Sequence, residues 1–204
     1  MDSRYSELAR MIEAWPGLVS GPARALIDDC LVLLDHLGDA HTLVDVGSGG
    51  GLPGLPLKIA RPDLDVTLVE ADESKAAFLV QTAARLGLDG VQVVARRAED
   101  VGRDPRHRER YDVVVARAVA ALPALAELCL PLVKVGGRML AQKTDREDVG
   151  RAAHAIEILG GSPAVVDQAR SAARTGGTVI TVGKVKSTPA AYPRRAGVPV
   201  RKPL

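Results

Sequence analysis

Apolar residues follow a helical spacing at the start of the chain and alternate between strand and helix patterns after it. Two helices are predicted before residue 41, the first ended by Pro16-Gly17 and the second begun near Gly21-Pro22. Their apolar faces are formed by residues spaced as on one side of a helix: Leu8, Met11, Ile12 and Trp15, then Leu26, Cys30, Leu34 and Leu37. We expect both helices to pack beside the sheet that follows.

From residue 42 onward, short apolar runs alternate with amphipathic stretches. The runs predict seven strands, at residues 42–47, 65–71, 91–97, 111–118, 138–143, 163–169 and 178–186. The stretches predict helices opened by Pro53, over 73–87, over 125–132 up to Gly136-Gly137, and over 149–156 up to Gly160-Gly161. This alternation predicts an α/β fold with a mostly parallel sheet covered on both faces. The last two strands, joined by a turn at 174–177, predict an antiparallel edge hairpin.

The chain divides by composition into three segments within a single compact domain. Residues 1–40 form a helical segment, 41–187 a sheet domain and 188–204 a basic, proline-rich arm. The arm is predicted to be extended because prolines recur along it. No signal-peptide pattern and no apolar run of roughly 18–20 residues is found. Cys30 and Cys129 lie in apolar helical patterns, which suits reduced thiols in a cytoplasmic protein. We also expect a monomer and no metal.

A glycine-rich turn follows the first strand, in the sequence Asp45-Val46-Gly47-Ser48-Gly49-Gly50-Gly51-Leu52-Pro53-Gly54. A strand, a glycine turn and a helix start in succession direct backbone N–H groups toward a ligand. Glycines let that ligand approach the backbone without a Cβ in the way. Roughly 20 residues later, Glu70 ends the second strand, where a carboxylate accepts hydrogen bonds from ribose hydroxyls.

The glycine spacing fits two cofactors. Gly47-x-Gly49-x-Gly51 is the loop expected for S-adenosylmethionine, whereas Gly49-x-Gly51-x-x-Gly54 fits the dinucleotide fingerprint. The loop begins at the very end of the strand and is long, which favours S-adenosylmethionine. Two alternatives stay open, an NAD- or FAD-linked oxidoreductase and a non-catalytic RNA-binding protein that retains the methyltransferase fold.

The segment Val44-Asp45-Val46-Gly47-Ser48-Gly49-Gly50-Gly51-Leu52-Pro53-Gly54-Leu55-Pro56-Leu57 resembles the signature of the RsmG (GidB) family, the 16S ribosomal RNA guanine-N7 methyltransferases. The Leu-Pro-Gly after the glycines is its most specific part. The resemblance covers residues 42–204 and continues through Arg97-Ala98-Glu99, Ala116-Arg117-Ala118, Gly137-Arg138-Met139-Leu140-Ala141 and Tyr192-Pro193-Arg194-Arg195-Ala196-Gly197. It implies a class I, Rossmann-like methyltransferase fold, S-adenosylmethionine as cofactor, and the 16S rRNA of the small ribosomal subunit as partner.

The resemblance also implies cofactor contacts along the glycine turn and at the ends of the next three strands. These residues are Gly47, Ser48, Gly49, Gly51, Leu52, Glu70, Ala98, Glu99 and Arg117. Glu70 would hold the ribose, Ala98 and Glu99 would lie beside the adenine, and Arg117 would also position the substrate. The chain departs from the family pattern in its amino-terminal helices, where the family's Asn-Leu-Thr motif and Arg-His pair are absent.

The acceptor atom limits which catalytic groups are needed. The Asn/Asp-Pro-Pro-Tyr/Phe motif of adenine N6 methylases is replaced by Ala116-Arg117-Ala118-Val119, and Cys129 lies mid-helix rather than as a nucleophile. Guanine N7 has an accessible lone pair and no proton, so it requires no general base. Lys143, beyond the fifth strand, is predicted to donate to the neighbouring O6 or to a phosphate.

Basic residues are concentrated in the arm. The net charge of +2 is too small to indicate a nucleic-acid partner, but the arm has no acidic residue after Tyr192 and carries Arg194, Arg195, Arg201 and Lys202. We expect these side chains to contact RNA phosphates. Removal of residues 192–204 is therefore expected to weaken RNA association and to leave cofactor affinity intact.

Overall fold

The computed structural model describes residues 2–15, 17–144, 147–169, 171 and 176–204, and these form one seven-stranded sheet with helices around it. The strands are β1 (Thr42–Val46), β2 (Asp65–Val69), β3 (Val91–Val94), β4 (Tyr111–Arg117), β5 (Val133–Lys143), β6 (Val165–Gln168) and β7 (Thr178–Gly183). Their order across the sheet is β3-β2-β1-β4-β5-β7-β6. Strands β1 to β5 are parallel, and β7 is antiparallel to both β5 and β6. The predicted α/β class and antiparallel edge are confirmed.

Helices cover the sheet, and some of them begin at side-chain caps. They are α1 (Ser3–Glu13), α2 (Ala23–Cys30), α3 (Gly54–Ala60), α4 (Glu73–Arg85), α5 (Ala98–Arg103), α6 (Leu122–Cys129), α7 (Ala153–Ile158) and α8 (Val198–Arg201). Asp2 caps α1 by accepting the Arg4 N–H, and Asp72 caps α4 by accepting the Ser74 and Lys75 N–H groups. Among the described residues, none of these helices combines the length and apolarity needed to cross a membrane.

Side chains along β1 alternate between two buried apolar clusters, one on each face of the sheet. Leu43 joins the cluster under α1 to α4, whereas Val44 and Val46 join the cluster under α6 and α7. Both faces are therefore covered, as is usual for parallel strands. The carboxyl ends of β1, β2 and β4 are left at one edge, and this edge carries the site.

Several element boundaries differ from the prediction. Strand β5 begins at Val133 rather than 138, so Gly136 and Gly137 lie inside the strand instead of ending a helix. The second amino-terminal helix ends at Cys30 and continues as a 3₁₀ helix over Leu31–His36. Helix α5 was not predicted. The β6–β7 hairpin is confirmed by its pairing, but the predicted turn at 174–177 lies partly outside the described residues.

The C-terminal segment, residues 188–204, is the main correction to the fold. It is predicted to be an extended arm, but it folds back on the domain and forms α8, which packs against α6. Arg194 donates to Glu127 of α6, whose carboxylate is fully buried. Proline spacing is a local signal, so it does not report this distant carboxylate. Arg194 is thus paired with Glu127 in the structure rather than free for phosphate.

Candidate active site

Three parallel strands, β1, β2 and β4, end side by side at one edge of the sheet. The turn after β1 is held to β2, because the N–H groups of Gly47 and Ser48 donate to the Val69 carbonyl at 2.9 and 3.1 Å. Gly47, Gly49 and Gly51 adopt a left-handed backbone with φ of 73°, 52° and 83°, which glycine adopts readily. The turn therefore presents bare backbone at the edge where open α/β sheets bind ligands.

Two glycines of this stretch are required by packing rather than by ligand approach. A Cβ at Gly54 would lie 2.5 Å from Leu68 Cδ2 and 2.9 Å from Asp45 Oδ2, and a Cβ at Gly51 would collide with Leu55. Helix α3 therefore lies directly against β1 and β2. Gly51 packs against that helix and lines neither of the two cavities at the sheet edge.

Asp45, in β1, connects the strand to the start of α3. Its Oδ2 accepts the Gly54 N–H at 2.8 Å, whereas its buried Oδ1 has no hydrogen-bond partner among the described residues. Burial raises the pKa of the Asp45 carboxyl to about 7, well above the ordinary value near ~3.9. The Ser48 hydroxyl donates to the Asp45 carbonyl at 2.9 Å. These contacts fix the path of the glycine turn.

Glu70 follows β2 and holds the turn from the other side. Its Oε2 accepts the Gly49 N–H at 2.8 Å and its Oε1 accepts the Asp72 N–H at 2.9 Å. Each carboxylate oxygen carries two lone pairs, so acceptor capacity remains for a hydroxyl donor. The half-buried side chain is therefore held in place and can accept further hydrogen bonds.

The first cavity, of about 280 Å³, lies on one side of Gly47. The glycine turn, the end of β4 and the loop between α1 and α2 line it, with Arg117 and Leu18 among the lining side chains. Ala118, also in the lining, has a φ of 54°. A non-glycine residue in this left-handed region costs conformational energy, and such strain is concentrated at functional sites.

The guanidinium of Arg117 contacts two residues of α2. Its Nη2 lies 3.8 Å from Asp29 Oδ2, and its Nη1 lies 3.9 Å from Cys30 Sγ. Asp29 is buried and also accepts the Ser171 hydroxyl at 2.7 Å. Burial raises the pKa of the Cys30 thiol to about 12, so the thiol is neutral. Asp29 is therefore the charge that orients Arg117 toward the cavity.

The second cavity, of about 230 Å³, lies on the other side of Gly47. Glu70, Ala98 and Glu99 line it. Val119 lines it as well and packs against the turn, because a Cβ placed on Gly47 would lie 2.7 Å from Val119 Cγ2. Gly47 belongs to the lining of both cavities, so the two spaces meet at this glycine.

The C-terminal segment completes the second cavity. Glu99 is buried, and its Oε1 accepts the Gly197 N–H at 2.7 Å. Val200 of α8 lines the same cavity. Val200, Val119 and Leu18 are site residues that the sequence did not predict. Glu127 is the sequence signal that this segment packs on the domain, because a carboxylate inside the apolar pattern of α6 needs a charged partner when it is buried. The C-terminal segment supplies that partner.

Eight of the ten predicted site residues line one of the two cavities, and the exceptions are Gly51 and Lys143. The Lys143 side chain is largely buried. Its Nζ donates to the Ala120 carbonyl and lies 3.3 Å from Glu147 Oε2. Lys143 therefore supports the loop after β4, and the structure does not bring it to the cavities.

This strand order, with a glycine turn after β1 and an acidic residue after β2, defines the class I S-adenosylmethionine-dependent methyltransferase fold. The chain is similar to the O-methyltransferase TomG from Streptomyces achromogenes, whose structure was determined in complex with S-adenosylmethionine. The TM-score is 0.61 at 20% identity, over 90% of this chain and 91% of that chain. A likeness at this identity establishes the fold.

The family follows from closer relatives. Residues 23–175 match the GidB family, described as rRNA small subunit methyltransferase G. Proteins called Ribosomal RNA small subunit methyltransferase G are similar to the chain: one from Roseiflexus sp. (strain RS-1) is 53% identical over 89% of this chain and 79% of its own length. Another, from Roseiflexus castenholzii, is 52% identical over 89% and 78%. The chain belongs to the rRNA small subunit methyltransferase G (GidB) family, and the oxidoreductase alternative receives no support.

Proposed function

We propose that the chain binds S-adenosylmethionine across both cavities and transfers its methyl group to N7 of a guanine in 16S ribosomal RNA. The observation that carries the proposal is the meeting of the two cavities at Gly47, between Arg117 on one side and Glu70 on the other. This substrate implies a cytoplasmic enzyme. We retain the monomer as the expected state.

The fit of the cofactor can be judged from the cavities. The two cavities, of about 280 and 230 Å³, are near the lower end of the roughly 300–1,000 Å³ of pockets that enclose drug-sized ligands. A ligand with a nucleoside part and an amino-acid part would extend across both. Gly47 and Gly49 both adopt a left-handed backbone conformation, and they leave the turn beside the two cavities without side chains. Glu70 is suited to ribose hydroxyls, and the apolar Ala98 beside it suits a base. The residues present therefore fit S-adenosylmethionine.

The chain's own residues contribute position rather than proton transfer. S-adenosylmethionine supplies a methyl group on a positively charged sulfur. Orientation of two reactants can account for about 7–11 kcal/mol of a barrier, and Arg117, held by Asp29, is placed to orient a substrate at the first cavity. Burial also raises the pKa of Cys129, as it does that of Cys30, so neither cysteine supplies a thiolate. An acceptor with a free lone pair, such as guanine N7, fits this site.

RNA would approach over basic side chains near the second cavity. Arg97 lines that cavity, and Arg195, Arg201 and Lys202 are exposed on the C-terminal segment. Phosphate contacts of this kind release counterions and give a salt-dependent affinity. Arg194 is excluded from this set because Glu127 binds it.

Methyl transfer tests the proposal directly. With labelled S-adenosylmethionine, the protein should methylate small ribosomal subunits from a strain that lacks its family enzyme, and mapping should place the label on N7 of one guanine. Subunits from the parent strain should accept little label, which is the control. Cofactor binding without any incorporation would contradict the proposal and favour a non-catalytic RNA-binding protein. Tight NAD binding without a response to S-adenosylhomocysteine would favour an oxidoreductase.

Replacement of Glu70 by alanine should weaken S-adenosylhomocysteine binding by about 1–3 kcal/mol, because polar partners lose their acceptor. Isothermal titration calorimetry measures this directly. The control is Glu73→Ala, which removes an exposed carboxylate of α4 outside the cavity lining. Equal affinities of Glu70→Ala and wild type would show that Glu70 does not hold the cofactor.

A further inference from the structure

The C-terminal segment is held on the domain by polar contacts that fix its course. The Thr188 N–H donates to Glu109 Oε1 at 2.7 Å, and the Arg108 guanidinium donates to the Thr188 and Tyr192 carbonyls, both at 2.7 Å. Farther along, Arg194 is bound by the buried Glu127. Charged donors and acceptors of this kind make stronger hydrogen bonds than neutral ones. The segment is therefore a fixed part of the fold.

These contacts place α8 at the mouth of the second cavity. Gly197, the residue before α8, has a φ of 78° and donates its N–H to Glu99 Oε1. Val200 lines the cavity while 54% of its surface remains exposed. Leu128 of α6, which is buried, lines the cavity as well. The cavity thus has an apolar side that the C-terminal segment supplies in part.

We propose that the C-terminal segment is a wall of the cofactor site, with Val200 contacting the adenosine half of S-adenosylmethionine and Gly197 fixing the Glu99 carboxylate beside it. This inference rests on the proposed function. Val200 is a positioning and affinity residue in this scheme, and Glu99 depends on the C-terminal segment for its orientation.

The physical reason is the environment at this side of the cavity. Glu70 and Ala98 line the same space as Val200, so a ribose held by Glu70 brings its base to the half of the cavity that α8 closes. A flat base gains free energy when it covers exposed aliphatic surface. The Gly197 N–H meanwhile occupies one oxygen of Glu99. A wall of this kind adds affinity for the base without touching the reacting methyl group.

The test is calorimetric titration of the full chain with S-adenosylhomocysteine. Val200→Trp should lower the affinity about tenfold, because an indole added at the cavity mouth overfills the space. Val200→Ala should lower it about threefold through lost apolar contact. The matched control is Val135→Trp, since Val135 is similarly exposed, at 52%, and lies near the start of β5, at the opposite edge of the sheet. That control should change the affinity less than about twofold.

A second ligand identifies which half of the cofactor is contacted. 5′-Methylthioadenosine carries the adenosine part without the amino acid, so Val200→Trp should lower its affinity by the same factor. If Val200→Trp binds S-adenosylhomocysteine with the affinity of wild type, the C-terminal segment is not a wall of the cofactor site. If Val200→Trp loses affinity for S-adenosylhomocysteine but not for methylthioadenosine, Val200 does not contact the adenosine half. If wild type itself binds neither ligand, the proposed function fails and this inference fails with it.

One expectation from the sequence, the effect of removing the C-terminal residues, is reversed by this role of the segment. Removal of residues 192–204 is expected there to leave cofactor affinity intact, whereas a segment that supplies Val200 and the Gly197 N–H cannot be removed without loss at the cavity. Point replacement at Val200 is the cleaner test, because truncation also removes Arg194, the partner of the buried Glu127.

Discussion

Replacement of Arg194 by alanine should lower the free energy of unfolding by about 3–5 kcal/mol, because it leaves a buried carboxylate without its partner. Glu127 is fully buried on α6, and its two oxygens accept the Arg194 backbone N–H at 2.7 Å and the guanidinium at 2.6–3.1 Å. Alanine would keep only the backbone donor. Urea unfolding followed by circular dichroism measures the loss.

The neighbouring arginine provides the control. Arg195 is exposed, so Arg195→Ala should change the unfolding free energy by no more than about 0.5 kcal/mol. The double replacement of Arg194 by methionine and Glu127 by leucine should recover much of the loss, because no buried charge remains. A loss below about 1 kcal/mol in Arg194→Ala would show that Glu127 finds other partners or water.

Asp45 should lower the free energy of unfolding by about 4 kcal/mol as the pH rises from about 4 to about 7. In the unfolded chain the Asp45 carboxyl releases its proton near pH ~3.9, whereas burial raises its pKa in the folded state to about 7. Between these values the folded state binds more protons than the unfolded state. The contribution of Asp45 to stability is therefore lost with increasing pH across this window and is constant above it.

Asp45→Asn isolates this contribution. Asparagine stays neutral and can still accept the Gly54 N–H, so it mimics the protonated carboxyl. Urea unfolding at a series of pH values should show the variant gaining stability relative to wild type as the pH rises, up to about 4 kcal/mol. Asp89→Asn, at an exposed position, should follow wild type. Parallel pH profiles of Asp45→Asn and wild type would refute the buried-proton account.

The sequence predicts the fold well where local pattern and burial agree. The strand ending at Gly47 and the strand ending near Glu70 are mostly apolar and mostly buried runs beside turns. Their place in a parallel sheet follows from the alternation with helices. The glycine content of the turn by itself indicates a ligand-binding site, because few other structures need so many glycines. These features lie close together in sequence, so pattern alone reports them.

The outer parts of the site depend on distant contacts that no local pattern reports. Glu99 and Gly197 meet only because the C-terminal segment returns across α6, and the same return brings Val200 to the second cavity. Lys143 follows β5 as predicted, but the position of Glu147 draws its side chain away from the cavities. Proline spacing predicts an extended segment here, and it reports neither the short helix α8 nor the contacts that return the segment to the domain.

The return of residues 188–204 also sets an order of events during translation. All seven strands are synthesised before Gly197 and Val200, and one side of the second cavity is missing until the C-terminal segment has docked on the sheet domain. Cofactor capture by a chain without the docked segment would be weak. Each newly made molecule would thus acquire full cofactor affinity only after this segment has docked.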